Sequence, residues 1–232
     1  SGKYKIITFS DSFHGRTIAT VTATAQPKYH KGFAPLLEGF SYVPFNDLEA
    51  LKESIDDITC AIMLEPIQGE GGINIATKEF MQGIRKLCDE KGLQLILDEV
   101  QCGMGRSGNY FAYQHYDIEP DIMTLAKALG GGVAIGAMTA KKEIAKSLVP
   151  GSHASTFGGN PLACTAGVAV FETIENENLL DNVKKMGSYA VEQLKILQKT
   201  YKIIKEVRGV GLMIGIELNA NGSEIIKNCI KA

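Results

Sequence analysis

The chain has 232 residues, with 24 Lys+Arg against 26 Asp+Glu, a formal net charge of −2 and no basic block. That balance argues against nucleic acid or an anionic membrane surface as the partner and points to small-molecule substrates. The five cysteines, at 60, 88, 102, 164 and 229, are odd in number and hold no C-x-x-C pair, so neither a disulfide framework nor a zinc site is indicated and a reducing, cytoplasmic compartment is expected.

The first element is the strand-like "YKIITF", which leads into "SFHGRT". No initiator Met and no signal-peptide apolar region precedes it, so the chain reads as a fragment entered inside an existing strand. No stretch approaches the roughly 20 apolar residues of a membrane span. In the helix-like "NDLEALKESI", Leu48, Leu51 and Ile55 share one face, and Asn46 with Glu49 makes a capping box. The strand "CAIMLEP" follows. Next, "TKEFMQGIRKLCDEKG" presents an inward stripe of Phe80, Ile84, Leu87 and Cys88 and runs into the strand "LQLILDEV"; "PDIMTLAK" and "GAMTA" are the strands after it. Continuously apolar strands joined by amphipathic helices imply an α/β domain with a mainly parallel central sheet and helices on both faces.

After "GGNP" the texture changes. Residues 161–200 read as long helices, "IKEVRGVGLMIGIEL" as glycine-broken strands and "SEIIKNCIKA" as the start of a further helix. The expected division is a large domain over residues 1–178, lacking its N-terminal part, and the incomplete start of a smaller α+β domain over residues 179–232.

Ligands of such sheets sit beyond the carboxyl ends of the strands, where this chain places its notable polar residues. Glu65 closes "CAIML", Asp98 closes "LQLIL" and Lys127 follows "DIMTLA". A buried carboxylate costs several kcal/mol unless a cation or hydrogen-bond donors meet it, so Asp98 calls for a partner. Taken singly, each is most simply the start of a loop; their recurrence after successive strands favours a site. Lys127 lies between Leu125, Ala126, Ala128 and Leu129 with three glycines following, a setting whose desolvation favours the neutral, nucleophilic amine of a Schiff-base lysine. The competing reading is a lysine snorkelling from a helix start. Neither a phosphate-binding P-loop nor a dinucleotide fingerprint is present, and none of the four histidines has metal-ligand spacing.

Taken together, "SFHGRT", "EPIQGEGG", "LDEVQCGMGRSG", "LAKALGGG" and "STFGGNPLAC", in this order over nearly the whole chain, resemble the class III, fold-type I pyridoxal-phosphate aminotransferases. The resemblance implies pyridoxal 5'-phosphate as cofactor, Lys127 as its covalent anchor and Asp98 as the carboxylate on its pyridine nitrogen. It implies Gln101 near the ring's phenolic oxygen, Glu99 and Val100 setting the same loop, and Phe13 stacked on the ring, although Phe13 alone reads equally well as core. Thr156 matches the hydroxyl that binds the cofactor phosphate of the partner subunit, implying a homodimer with shared active sites, and Ser155 matches a substrate-side position. Both would otherwise be loop residues beside glycines. Arg16, alone a surface arginine, matches the guanidinium that receives the substrate carboxylate. Glu70 matches a glutamate that pairs with a C-terminal arginine, which in relatives would lie beyond Ala232. Glu65 is expected to shape the pocket and His14 to pack or wall it.

The implied activity is transfer of the terminal amine of N-acetylornithine to 2-oxoglutarate, giving N-acetylglutamate 5-semialdehyde and glutamate in arginine biosynthesis. Enzymes of the class acting on ornithine, succinyldiaminopimelate or 4-aminobutyrate share the same core and remain alternatives, as does a cofactor-binding fragment without turnover. In relatives the glycine-threonine turn that cradles the phosphate precedes "YKIITF", so the 232-residue stretch alone is expected not to be a self-sufficient enzyme.

Overall fold

The computed structural model describes residues 2–231. In chain order, β1 (Lys5–Phe9) leads through α1 (Ile18–Ala23) and α2 (Pro27–His30) to β2 (Phe40–Val43), and α3 (Leu48–Ser54) leads to β3 (Thr59–Leu64). A short hairpin of β4 (Ile67–Gln68) and β5 (Asn74–Ile75) precedes α4 (Lys78–Lys91), β6 (Gln94–Asp98), β7 (Ile122–Leu125) and β8 (Ala137–Ala140). The rest comprises α5 (Lys142–Ala145), α6 (Pro161–Asn176), α7 (Leu179–Thr200), β9 (Ile204–Val210), β10 (Met213–Leu218) and α8 (Ser223–Lys231).

The central sheet has the order β2-β1-β3-β6-β7-β8, parallel throughout except for β8, which runs antiparallel along β7. The mainly parallel sheet expected from the apolar runs is present, with one antiparallel edge. The chain moves from β1 outward to β2 and returns on the other side of β1 to β3. Strand order therefore reverses between β1 and β3, and their carboxyl ends flank the crevice where such sheets bind ligands.

Strand alternation separates the two faces. Ile7, Phe9, Ile62, Leu64, Leu95 and Leu97 point to one side and form a buried core with Leu51 of α3 and with Phe80, Ile84 and Leu87 of α4. On the other side α1 covers the sheet, where the Thr8 hydroxyl donates to the Ala23 carbonyl at 2.8 Å and the Tyr42 hydroxyl to that of Thr22 at 2.6 Å. Helices thus lie on both faces. Helix α4 shows why the sequence folds so locally: Thr77 caps its start by accepting from the Phe80 N–H at 3.1 Å, and Gly92, left-handed at φ 65°, closes its end. The expected stripe of Phe80, Ile84, Leu87 and Cys88 is buried.

At α3 the cap differs from expectation. Asp47 accepts from the Ala50 N–H at 2.9 Å, while Asn46, at φ 63°, donates to the Ile75 carbonyl and accepts from the Thr77 N–H. The Asn46 side chain is thereby committed to the start of α4, and the next acceptor along the chain becomes the cap.

The antiparallel pair β9–β10 packs on α7 and is fastened to the sheet domain at two loops. Arg208 Nε donates to the Gly72 carbonyl at 2.9 Å, and the Leu212 N–H donates to the Arg106 carbonyl at 3.0 Å. Met213 adds an apolar contact, buried with Ile67, Cys102 and Ala112.

Candidate active site

Two loops meet at the reversal point. The loop after β1 carries Phe13, His14 and Arg16, and is held by Gln26, whose Nε2 donates to the carbonyls of Asp11 at 3.1 Å and Ser12 at 2.9 Å. Gly15 has φ +135°, and a Cβ there would sit 2.7 Å from Thr20 Oγ1, so glycine is what lets the chain turn between His14 and Arg16. Glu65, one residue past β3, joins the two loops: its Oε2 accepts from the Phe13 N–H at 2.9 Å and its Oε1 from the Gly69 N–H at 3.1 Å. Burial pushes this carboxyl up to about 7, opposed by His14 and these two N–H donors. Glu65 does shape the pocket, and it does so as a clasp on the backbone.

Asp98 ends β6 with its side chain on the face opposite Leu97. Its Oδ2 accepts from His14 Nδ1 at 2.8 Å, and its Oδ1 accepts from the Val100 N–H at 3.1 Å and the Thr124 hydroxyl at 3.3 Å. An ionised carboxylate only accepts, which places a proton on His14 Nδ1. The buried acid therefore has an imidazole partner, and His14 is more than the packing or wall residue expected of it. Its Nε2 is buried with no hydrogen-bond partner among the described residues.

Gln101 contributes a second orphan, its buried Oε1. The Gln101 amide lies over the α-carbon of Gly69, where a Cβ would fall 1.4 Å from Oε1. Because the obstructed group is the tip of a flexible side chain, Gly69→Ala is expected to displace the Gln101 amide while changing thermal stability little. If a bound ligand takes up the orphaned Gln101 amide, losing that one hydrogen bond of about 1 kcal/mol would weaken the ligand's affinity roughly fivefold. Cofactor titration of the full-length protein measures this; unchanged affinity would put Gln101 outside the site.

Lys127 follows β7 in a left-handed backbone conformation, φ +48°, which a residue with a Cβ adopts only at a cost of about 1–2 kcal/mol. Its side chain is exposed, on the wall of a cavity of about 490 Å³ shared with Val100, Gln101, Met104 and Arg106. Apolar side chains of Val100, Met104, Ala128, Val170 and Ile174 line the same cavity, but the desolvation expected from the neighbours of Lys127 is not found, because Leu129 turns to pack with α6 and the amine stays open to solvent.

The Arg16 guanidinium lies 5.3 Å from the centre of the Phe13 ring and 4.7 Å from that of Tyr29. Glu99 is buried and turned away from Asp98, its two oxygens accepting from the N–H groups of Ala112 and Tyr113, each at 2.8 Å; burial raises its carboxyl above the ordinary range. Its contact role is to fasten the loop of residues 100–111. Glu70 is exposed and makes no ion pair among the described residues, and Ser155 and Thr156 are exposed on the loop before α6. The structure thus brings together Phe13, His14, Arg16, Glu65, Asp98, Val100 and Gln101, with Lys127 on the cavity wall. Among the described residues no hydrogen bond joins Ser155, Thr156 or Glu70 to them. The particular contacts of these two pocket residues, Glu65 to the Phe13 N–H and His14 to Asp98, escape a sequence reading because they span 52 and 84 residues.

Comparison with known proteins places the chain in a family. The chain is 57% identical over 227 residues to acetylornithine aminotransferase of Methanocaldococcus jannaschii, covering 98% of this chain and 57% of that protein. It is 50% identical over 218 residues to the acetylornithine/succinyldiaminopimelate aminotransferase of Yersinia pestis, covering 94% of this chain and 54% of the relative. A crystal structure of ornithine aminotransferase from Toxoplasma gondii superposes with a TM-score of 0.95 at 33% identity, over 99% of this chain and 56% of its own. The chain therefore spans somewhat more than half the length of these relatives. A family model described as "Aminotransferase class-III" matches residues 1–232, end to end. With strand-end Asp98 and Lys127 at the edge where α/β sheets bind ligands, and that match running through every loop that carries them, the chain belongs to the class III aminotransferase family.

Proposed function

We propose that the protein of which this chain is part is a pyridoxal-phosphate-dependent aminotransferase that takes the terminal amine of N-acetylornithine and delivers it to 2-oxoglutarate. The observation carrying this reading is the Asp98 carboxylate, buried at a strand end and oriented by His14 at 2.8 Å. The identity of 48–57% to relatives named acetylornithine aminotransferase supports the donor. Succinyldiaminopimelate is the second reading, since the Yersinia pestis relative bears both names.

The donor set fits the cofactor. A buried carboxylate suits a protonated ring nitrogen, the partnerless Gln101 amide suits a phenolic oxygen, an aromatic ring at Phe13 offers a stacking face, and the open Lys127 amine suits an aldehyde. Pyridoxal phosphate, when bound, supplies an electron-accepting ring and an aldehyde carbon that carries nitrogen between two substrates. Asp98 would hold a protonated ring nitrogen, with its carboxylate fixed against rotation by His14 and the Val100 N–H. Lys127 Nζ would hold the cofactor's aldehyde carbon and, as a free amine, would move a proton at the substrate carbon. Arg16 orients the donor through its carboxylate. Thr156, exposed and without a hydrogen bond to this group among the described residues, acts on the cofactor phosphate of a second copy, so that a homodimer completes two shared sites, and Ser155 beside it takes a substrate-side position. The five cysteines are all free thiols, which supports a reducing, cytoplasmic setting; no described helix is long and apolar enough to cross a membrane.

The deciding experiment is an amine-donor screen on the full-length protein, with N-acetylornithine, N-succinyldiaminopimelate, ornithine and 4-aminobutyrate compared by kcat/KM at fixed 2-oxoglutarate. Preference for an unacylated donor would overturn the reading. Arg16→Lys is expected to lower kcat/KM for N-acetylornithine by roughly 10- to 150-fold, the equivalent of about 1.5–3 kcal/mol from a charge-assisted bidentate contact. Cofactor affinity should be unchanged, and unaltered kinetics would reject the role.

A further inference from the structure

Arg16 is an exposed guanidinium with no carboxylate within ion-pair distance among the described residues. What meets it instead is a pair of rings. Its central carbon is 4.7 Å from the Tyr29 centroid and 5.3 Å from that of Phe13, and the two rings pack edge to face, 5.2 Å apart at 72°. Lys28 brings a second cation to the Tyr29 ring at 4.8 Å, also without an acidic partner among the described residues. Tyr29 is itself held to the Arg16 loop: its N–H donates to the Gln26 carbonyl at 2.9 Å, and Gln26 donates in turn to Asp11 and Ser12.

The choice of aromatic faces over a carboxylate has a chemical consequence. A salt bridge would neutralise the guanidinium and occupy its N–H fork. A ring face attracts the cation through its quadrupole and leaves the in-plane donors free for an incoming carboxylate. It also removes part of the rotamer freedom that a long side chain would otherwise lose on binding.

Resting on the reading of Arg16 given above, we propose that Tyr29 is a positioning residue that holds the Arg16 guanidinium on its ring face with the fork unoccupied, and so sets selection for amine donors bearing a carboxylate. The ring, and not the hydroxyl, carries the effect. Tyr29 acts on donor binding and leaves the chemical steps at Lys127 untouched.

The test uses the full-length holoenzyme and a matched pair of donors, N-acetylornithine and N-acetylputrescine, which differ only in the carboxylate. The half-reaction of each is followed by the cofactor's absorbance, giving a half-saturation concentration and a limiting rate. Tyr29→Leu is expected to raise the half-saturation concentration for N-acetylornithine roughly three- to tenfold with little change in limiting rate, and to leave N-acetylputrescine unchanged. Tyr29→Phe should stay within about twofold of wild type for both. Equal losses with the two donors, no loss with either, or a Phe variant as impaired as the Leu variant would each overturn the proposal. Failure of the underlying reading looks different: Arg16→Lys would then leave N-acetylornithine use unaltered, or the wild type would accept both donors equally well. An Arg16-dependent preference that is indifferent to Tyr29 would overturn the positioning role alone.

Discussion

Lys127→Ala in the full-length protein is expected to reduce transamination by at least about 10²–10⁴-fold, the range a single positioned acid–base group contributes, while the variant still folds and binds cofactor. Backbone geometry makes this substitution a clean probe. Lys127 sits at φ +48°, and alanine, which also carries a Cβ, meets the same backbone strain as lysine, so the fold experiences little new cost. A glycine would relax that strain and confound the comparison. The amine is exposed on an open cavity wall, so its removal leaves no packing void. The companion measurement is borohydride reduction of the holoenzyme followed by peptide mass mapping. Label on a different lysine, or turnover of the alanine variant near the wild-type rate, would remove Lys127 from the mechanism.

How far these residues were legible in the sequence follows from the range of the forces that place them. The apolar runs "LQLIL" and "CAIML" announce buried parallel strands because both faces of such a sheet are covered, and the polar residues that follow them fall at the carboxyl ends of β6 and β3. The partner of Asp98 was not legible: His14 is 84 residues away, and no periodicity relates them. The Asn46 cap failed for a similar reason, since an acceptor next to Asp47 looks equivalent until Ile75 and Thr77 claim its side chain. The apolar neighbours of Lys127 misled because a 3-10 turn directs Leu129 toward α6 and the lysine away from it. Strand β8 was identified as a strand, but its direction depends on the connection after Lys127, which local composition does not encode.

The second large effect separates the two adjacent acids. Asp98→Asn is expected to lower the rate of the donor half-reaction about ten- to a hundredfold per folded molecule, because the amide carries no charge to hold a proton on the ring nitrogen, and a hydrogen bond to a charged group is worth about 1.5–3 kcal/mol. The amide can keep the contacts that meet Asp98: with Nδ2 turned to His14, whose ring can carry its proton on the partnerless Nε2 instead, Oδ1 still accepts from the Val100 N–H and the Thr124 hydroxyl, so what is lost is the charge. Glu99→Gln should behave in the opposite way. Both Glu99 oxygens accept backbone N–H groups, from Ala112 and Tyr113, in a fully buried setting. An amide there sets a donor against a donor at a cost of about 1–3 kcal/mol in stability, with no reacting atom disturbed. Thermal unfolding of the two variants, paired with single-turnover rates normalised to folded cofactor-bound protein, discriminates them. Asp98→Asn should lose rate far more than melting temperature, and Glu99→Gln should lose melting temperature with a near-normal rate. Equal normalised rates in the two variants would mean that the charge at the end of β6 has no part in the chemistry, whichever way its carboxylate points.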